Sequence, residues 1–380
     1  MKKLQLIVLG LIVFLSANSF AATLRFWDAN GAAAGASPGG GVATGTWGVD
    51  PFWGNDNGTA EPTAWTGGDH AVFAAGSDAS GAYTVTVQDT QPVADMHIDL
   101  GDVTFQGGVL NLDAAGARLI SVGHKDENAV ARFNTVLNGG NNIIRYKQGT
   151  LIFGATNTYT GSTTIEGGIL RLGASHVIPT NSMLILSNND TTRPDFNSIW
   201  QFTPATFETD GFNQQLGALK ITGNDPSVQR VIDFGSGTSA LGFANSSAED
   251  WGGLILNIVN YTPGSDTLRF GNDNTGLTLA QLELMRFPAF FDLPGRINST
   301  GFVSPALPVF LSVKRTTATD VELTWSSVSG HNYRVQYKND LNAATWNDLP
   351  FDVFATGDTA NYTDTTATEP KRFYQILVLN

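Results

Sequence analysis

No cysteine occurs among the 380 residues. Its absence excludes disulfide scaffolds, Cys-type zinc sites, iron–sulfur clusters, thiol catalysis and a lipidated N-terminal Cys. Charge is also scarce. Charged residues make up 14% of the chain, against roughly 25% in an average soluble domain. The balance is acidic, 21 Lys and Arg against 34 Asp and Glu for a formal net charge of -13. Such a chain cannot track a phosphate backbone, so nucleic acid and anionic membrane surfaces are poor partners and no nucleic acid is expected. No apolar run approaches the ~20 residues of a membrane-spanning helix. What is present is glycine, 42 residues of it, within a composition that is 42% hydrophobic, which is too apolar for a disordered chain.

The longest apolar run is Leu6 to Leu15. Lys2 and Lys3 precede it, and Ser19-Phe20-Ala21 follows as a small-x-small site. This is the layout of an export signal cleaved after Ala21. The protein is therefore expected to be secreted or at the cell surface, with no transmembrane segment in the mature chain.

Beyond the signal the pattern is strand and turn. Tyr83-Thr84-Val85-Thr86-Val87 puts three apolar side chains on one face and threonines on the other, the period-2 signature of a half-buried strand. Short segments of the same kind recur at 103–105, 109–112, 118–122, 150–153, 169–172 and 183–186, separated by Gly, Asn, Asp and Thr clusters. Two stretches repeat almost literally, Gln106-Gly107-Gly108-Val109-Leu110-Asn111-Leu112 and Glu166-Gly167-Gly168-Ile169-Leu170-Arg171-Leu172, with Gln148-Gly149-Thr150-Leu151-Ile152-Phe153 of related form. Leu151 and Leu170 are 19 residues apart and Leu110 and Leu170 are 60 apart, which reads as steps of ~20 residues. Short strands, glycine corners and that step point to one coil of a parallel β-solenoid, whose apolar face is buried only by stacking on the next coil. A β-sandwich or jelly roll is the competing architecture, because it also uses short strands at close spacing.

Residues 149–172, Gly-Thr-Leu-Ile-Phe-Gly-Ala-Thr-Asn-Thr-Tyr-Thr-Gly-Ser-Thr-Thr-Ile-Glu-Gly-Gly-Ile-Leu-Arg-Leu, resemble the autotransporter-associated β-strand repeat, also called the passenger-associated transport repeat. That family's pattern is G-T-L-x-L-x-G-x-N-x-Y-T-G-x-T-x-[IV]-x-x-G-x-L-x-L, from which this chain departs at Phe153 for Leu and at Ala155 for Gly. Thr46-Trp47, Phe52-Trp53, Trp65 and Ala71-Val72-Phe73 before the repeat, and 211–219 after it, are similar to family members as well. The resemblance implies a right-handed parallel β-solenoid, or β-helix, on the cell surface or released from it, in an adhesin-like or secreted protein. Autotransporters also carry an outer-membrane barrel of many alternating strands. No such array follows the repeat here, so the expected type is barrel-less, without self-export.

The expected organisation is a signal peptide at 1–21 and a β-solenoid with an N-terminal aromatic cap at 22–239. A solenoid-end or transition block with a short helix follows at 240–305, and a small antiparallel β-sandwich at 308–380. Thr278 and Gln281 are spaced as a capping box for that helix. In the last block, strand signals at 321–325, 333–337, 345–346, 361–364 and 372–378, with Trp325 as core tryptophan, are similar in order to a fibronectin type III-like module.

Chemistry is sparsely signalled. His70, His97 and His124 are 27 residues apart, but that interval does not match a ~20-residue step and no His-x-His pair occurs, so no metal site is expected. His176 and His331 are isolated. Asn272-Asp273-Asn274-Thr275-Gly276 looks like part of a calcium loop but lacks the EF-hand pattern, and turn chemistry accounts for it. Polar residues within the repeat, Arg145, Lys147, Glu166 and Arg171, are expected to face solvent. No nucleophile elbow, phosphate loop or dinucleotide fingerprint is present. The reading is therefore a non-enzymatic protein with no catalytic residue and no cofactor. A polysaccharide lyase or hydrolase is the runner-up, since carboxylate pairs are set by separation in space. Trp47, Trp53 and Trp65 are the candidates for carbohydrate binding, by stacking on sugars. The alternative for the same rings is closure of the first coil, which large aromatics do well. Expected partners are polysaccharide or other surface components.

Overall fold

The structure, a computed structural model, describes residues 22–112, 118–188 and 203–379. The expected export signal lies outside them. Alternation dictates the local structure: the strand Ala82–Pro92 buries Tyr83, Val85 and Val87 and leaves Thr84 and Thr86 half-buried. Neighbouring strands repeat this pattern and pair parallel in register. Tyr83 lies opposite Val103, then Ala131, Leu151, Leu170, Phe207, Ile232 and Ile258 follow one strand at a time. Every member of that column is buried. No strand covers its own apolar face, so each is stabilised by the one above and the one below.

Among the described residues the protein is nearly all β, with long parallel sheets. A ten-stranded sheet runs from Gly45–Trp47 to Met285–Arg286 and a nine-stranded sheet lies alongside. The chain alternates between them: His70–Phe73, Met96–Ile98, Arg118–Val122 and Ile143–Tyr146 belong to the nine-stranded sheet. The strands between, Ala82–Pro92, Asp102–Asn111 and Val130–Asn138, belong to the other. From Gln214–Leu216 onward a five-stranded sheet joins them. Residues 240–305 add further strands to these sheets, Ala240–Phe243, Leu256–Val259 and Thr267–Phe270 pairing parallel with their predecessors. The α-helix Leu279–Leu284 follows, with the capping box between Thr278 and Gln281 in place.

Two spacing expectations are corrected. A step of ~20 residues holds for Ala131 to Leu151 and Leu151 to Leu170, but circuits elsewhere are longer. Met96 pairs with Ile120, 24 residues on, and Leu170 pairs with Phe207, 37 residues on. The near-literal repeat is also not equivalent in space. Leu110 lies beyond a register shift at Gly107 and Gly108, where it pairs with Gln91 and Leu137, whereas Leu170 pairs with Leu151 and Phe207. The glycine pair marks a bend in both places, at φ +78° and +25° in one and +154° and +65° in the other, but the bends fall at different corners.

Residues 310–379 form antiparallel sheets. Phe310–Arg315, Val321–Ser326 and Thr359–Asp364 make one; Asn332–Lys338 pairs with Asn347–Asp348, Val353–Phe354 and Phe373–Leu379 in the other. Trp325, Leu323, Tyr333 and Val335 are buried in a cluster of their own. The strand Phe310–Arg315 carried no clear sequence signal, and the one expected at 345–346 is at Asn347–Asp348.

Candidate functional site

Trp47 and Trp53 are buried and Trp65 is half-buried. Their rings meet at 5.0 Å (Trp47 to Trp53), 5.1 Å (Trp47 to Trp65) and 4.4 Å (Trp53 to Trp65). Trp27 and Phe73 complete the cluster, at 5.2 Å and 5.5 Å from Trp53. The planes are mostly steeply inclined to one another, as in a packed aromatic core. In this arrangement the three tryptophans form no coplanar exposed platform. Trp27 had no signal of its own in the sequence, since it is set in a short strand, Leu24–Trp27, with little alternation.

The motif residues at 149–172 have identifiable physical roles. Asn157 is buried and bridges three successive circuits: its Oδ1 accepts from the Leu137 N–H at 2.8 Å and its Nδ2 donates to the Val177 carbonyl at 3.0 Å. Tyr159, also buried, shares a hydrogen bond of 2.7 Å with Thr163 Oγ1, which in turn meets Ser182 Oγ at 2.8 Å. At Gly161 a Cβ would stand 2.3 Å from the Asn141 carbonyl oxygen, so only glycine lets the two backbones approach. Phe153, where the family pattern has Leu, continues a column of rings through Phe105 and Phe133. Two circuits later Gln214 makes a related tie to the circuit before it, its side-chain amide pairing with both Ile178 N–H and Ile178 C=O.

The polar residues of this region are not all on the outside. Arg145 is fully buried, in register with Ile120 and Ile165. Its guanidinium donates to the carbonyls of Tyr146, Lys147, Gly149 and Ile169. The expectation that Arg145 faces solvent is therefore wrong. Alternation places it inward, and the turn after its strand turns backbone carbonyls toward the guanidinium. Arg171 is on the outer side, where it binds Glu208 at 2.8 Å, while Lys147 and Glu166 are half-buried.

Two of the histidines come together. The circuit between their strands pairs Ala71 with Met96 and Val72 with His97. His70, Asp95 and His97 thus fall on one side of the nine-stranded sheet. The ring centroids of His70 and His97 are 6.4 Å apart, and His70 Nδ1 is 3.0 Å from Asp95 Oδ2. Burial pulls the His97 pKa down to about 4, so its imidazole is neutral at ordinary pH. Burial alone would push Asp95 up, but hydrogen bonds from His70 and the Leu119 N–H outweigh it and hold the carboxyl below its usual range. The spacing argument against this meeting fails because the circuits here, from Ala71 to Met96 and from Met96 to Ile120, are 25 and 24 residues long.

A cleft of about 1020 Å³ separates the end of the parallel sheets from the C-terminal unit. Glu249, Asp250, Glu283, Asp292 and Asp358 line it together with Arg286 and His331. Glu249 is paired with Lys220 at 3.3 Å, and His331 Nε2 is 3.2 Å from the Phe291 carbonyl. The suspected calcium fragment is occupied by its own turn: Asp273 Oδ1 accepts from the Thr275 N–H and hydroxyl at 2.8 Å and 2.6 Å.

Comparison with known proteins bears on the same region. The passenger-associated-transport-repeat family model matches residues 148–172. The Adhesin BmaC autotransporter of Brucella suis biovar 1 (strain 1330) is 28% identical over 170 residues, 44% of this chain and 5% of that protein's length. No solved structure matches the chain. The segment in which Asn157, Tyr159 and Gly161 tie one circuit to its neighbours is a passenger-associated transport repeat.

Proposed function

We propose that this chain is an exported, non-enzymatic, adhesin-like protein of the cell surface or extracellular space. Its stacked circuits are read as a right-handed β-solenoid over 22–239, with 240–305 as its end and 308–380 as a fibronectin type III-like sandwich. The observation that carries the proposal is the passenger-associated transport repeat in register within a long parallel sheet. Similarity to an autotransporter adhesin supports it. A stack of this kind is stiff and offers long columns of outward side chains, such as Arg132, Ile152 and Arg171 on successive strands. It suits presentation to polysaccharide or other surface components.

The test is made in the producing cells. Antibody to the chain should label intact cells or the culture fluid. The exported form should begin at Ala22 by N-terminal sequencing, and deletion should reduce attachment to surfaces or to neighbouring cells. Retention in the cytoplasm would contradict the reading.

The acidic cleft supports a second reading, a carbohydrate-active enzyme, because several carboxylates line one groove and glycosidases work with a pair of them. Release of oligosaccharides from polysaccharide by the purified chain, abolished by Glu283→Gln or Asp358→Asn, would establish it. Absence of any product across plant, algal and bacterial polysaccharides would leave the adhesin reading.

A further inference from the structure

We infer that His70, Asp95 and His97 form a binding site for one divalent transition-metal ion of the zinc class, joining two neighbouring circuits near the N-terminal end of the stack. One ligand atom from each residue lies within 4.8 Å of the other two. Bonds of about 2.0–2.2 Å to nitrogen and carboxylate oxygen hold ligand atoms roughly 3–4 Å apart, so small side-chain rotations close the set around an ion. The residues are borne by paired strands and the turn between them, with Ala71 opposite Met96 and Val72 opposite His97.

The carboxylate is already oriented. Asp95 Oδ1 accepts the Leu119 N–H at 2.8 Å and faces Arg118 Nη1 at 4.0 Å, which leaves Oδ2 turned toward His70. Hydrogen bonding of one carboxylate oxygen to fix the other is how outer groups position a metal ligand. Access is from the His70 side, where the imidazole is 27% exposed; His97 is buried beneath it.

Ligand chemistry decides the class. Two imidazoles and one carboxylate without sulfur suit zinc and its neighbours in the transition series, whereas calcium and magnesium take oxygen ligands. Three protein ligands leave a position for water or an outside group. The Arg118 charge, on the far oxygen of Asp95, opposes the cation and sets a limit on affinity. An ion held here would tie the circuit of residue 70 to that of residues 95–97, and anything bound only to the folded state raises its stability.

The experiment uses the full chain purified without a polyhistidine tag and stripped with a chelator. Equilibrium dialysis against zinc chloride should retain one zinc per chain, and zinc but not magnesium should raise the melting temperature. His97→Gln and His70→Gln should each weaken zinc binding by at least about 10-fold, while His331→Gln, remote from the site, should leave it unchanged. Should His97→Gln fail to fold, the partly exposed His70→Gln decides the matter. Failure to retain stoichiometric zinc, or retention unchanged in His70→Gln, would overturn the assignment.

Discussion

Phe105 and Phe133 stand opposite each other on adjacent strands, with ring centroids 4.7 Å apart and planes inclined by 30°. Parallel strands are separated by about 4.7–4.9 Å, so the rings stack at the spacing the backbone imposes. Phe73 continues the contact on one side at 4.8 Å and Phe153 on the other at 6.3 Å. The stack lies at the centre of the parallel sheets, and its integrity depends on register.

Phe133→Ala removes the middle of this stack. Deleting a buried phenylalanine costs about 3–5 kcal/mol through lost transfer energy and the cavity left behind. In a stacked array the loss also weakens coupling between the circuits on either side. A denaturant titration should therefore show a lower midpoint and a broader transition. A change under about 0.5 kcal/mol, typical of a surface substitution, would mean the ring is not buried as described.

Asn157→Ala tests the motif asparagine. The substitution strands the Leu137 N–H, which the side-chain oxygen satisfies across circuits, and removes one of two hydrogen bonds to the Val177 carbonyl, which keeps that from the backbone N–H of residue 157. Each buried group left without a partner costs about 1–3 kcal/mol. Asn157→Ala should therefore melt earlier than wild type. Amide hydrogen exchange should quicken at Leu137, a response that mere loss of a surface side chain would not produce.

Asp364 gives the C-terminal unit a pH dependence. Its carboxylate is buried and binds Arg372 at 2.6 Å, Tyr374 at 2.8 Å and the hydroxyl and N–H of Thr366. Burial would raise its pKa, but these hydrogen bonds prevail and hold it below the ordinary 3.8. A depressed carboxylate contributes stability that is complete above the unfolded value and lost as pH falls through the folded one. The unit should therefore lose stability in the range from about pH 4 downward. Asp364→Asn should flatten that dependence and, by leaving Arg372 buried without its anion, cost about 3–5 kcal/mol at neutral pH. Tryptophan fluorescence followed through urea titrations at several pH values measures both effects.

How much of this was legible follows from what each signal measures. Alternation reports which side of a strand is apolar, so the segments at 83–87, 150–153 and 169–172 were readable as strands. It does not report circuit length, which depends on loops of variable size; the steps of 24, 25 and 37 residues were hidden for that reason. The meeting of His70 and His97 was hidden with them. A glycine pair signals a bend but not which corner, so Leu110 and Leu170 looked equivalent and are not. Arg145 was misplaced because its type outweighed its position: alternation puts it inward, where four backbone carbonyls receive it. Phe310–Arg315 escaped because its apolar residues Leu311 and Val313 remain exposed, giving no buried side for the pattern to reflect.

The stacking itself is most directly tested by cross-linking, which a chain without cysteine permits cleanly. Ile152 and Arg171 are outward neighbours on paired strands, and Glu208 is Arg171's partner on the next. The Cα atoms of paired positions are about 4.8 Å apart and those two strands away about twice that, one within disulfide reach and the other beyond it. Mild oxidation should therefore close Ile152→Cys with Arg171→Cys but not Ile152→Cys with Glu208→Cys. Failure of the first pair, or equal yield from the second, would contradict the register on which the account depends.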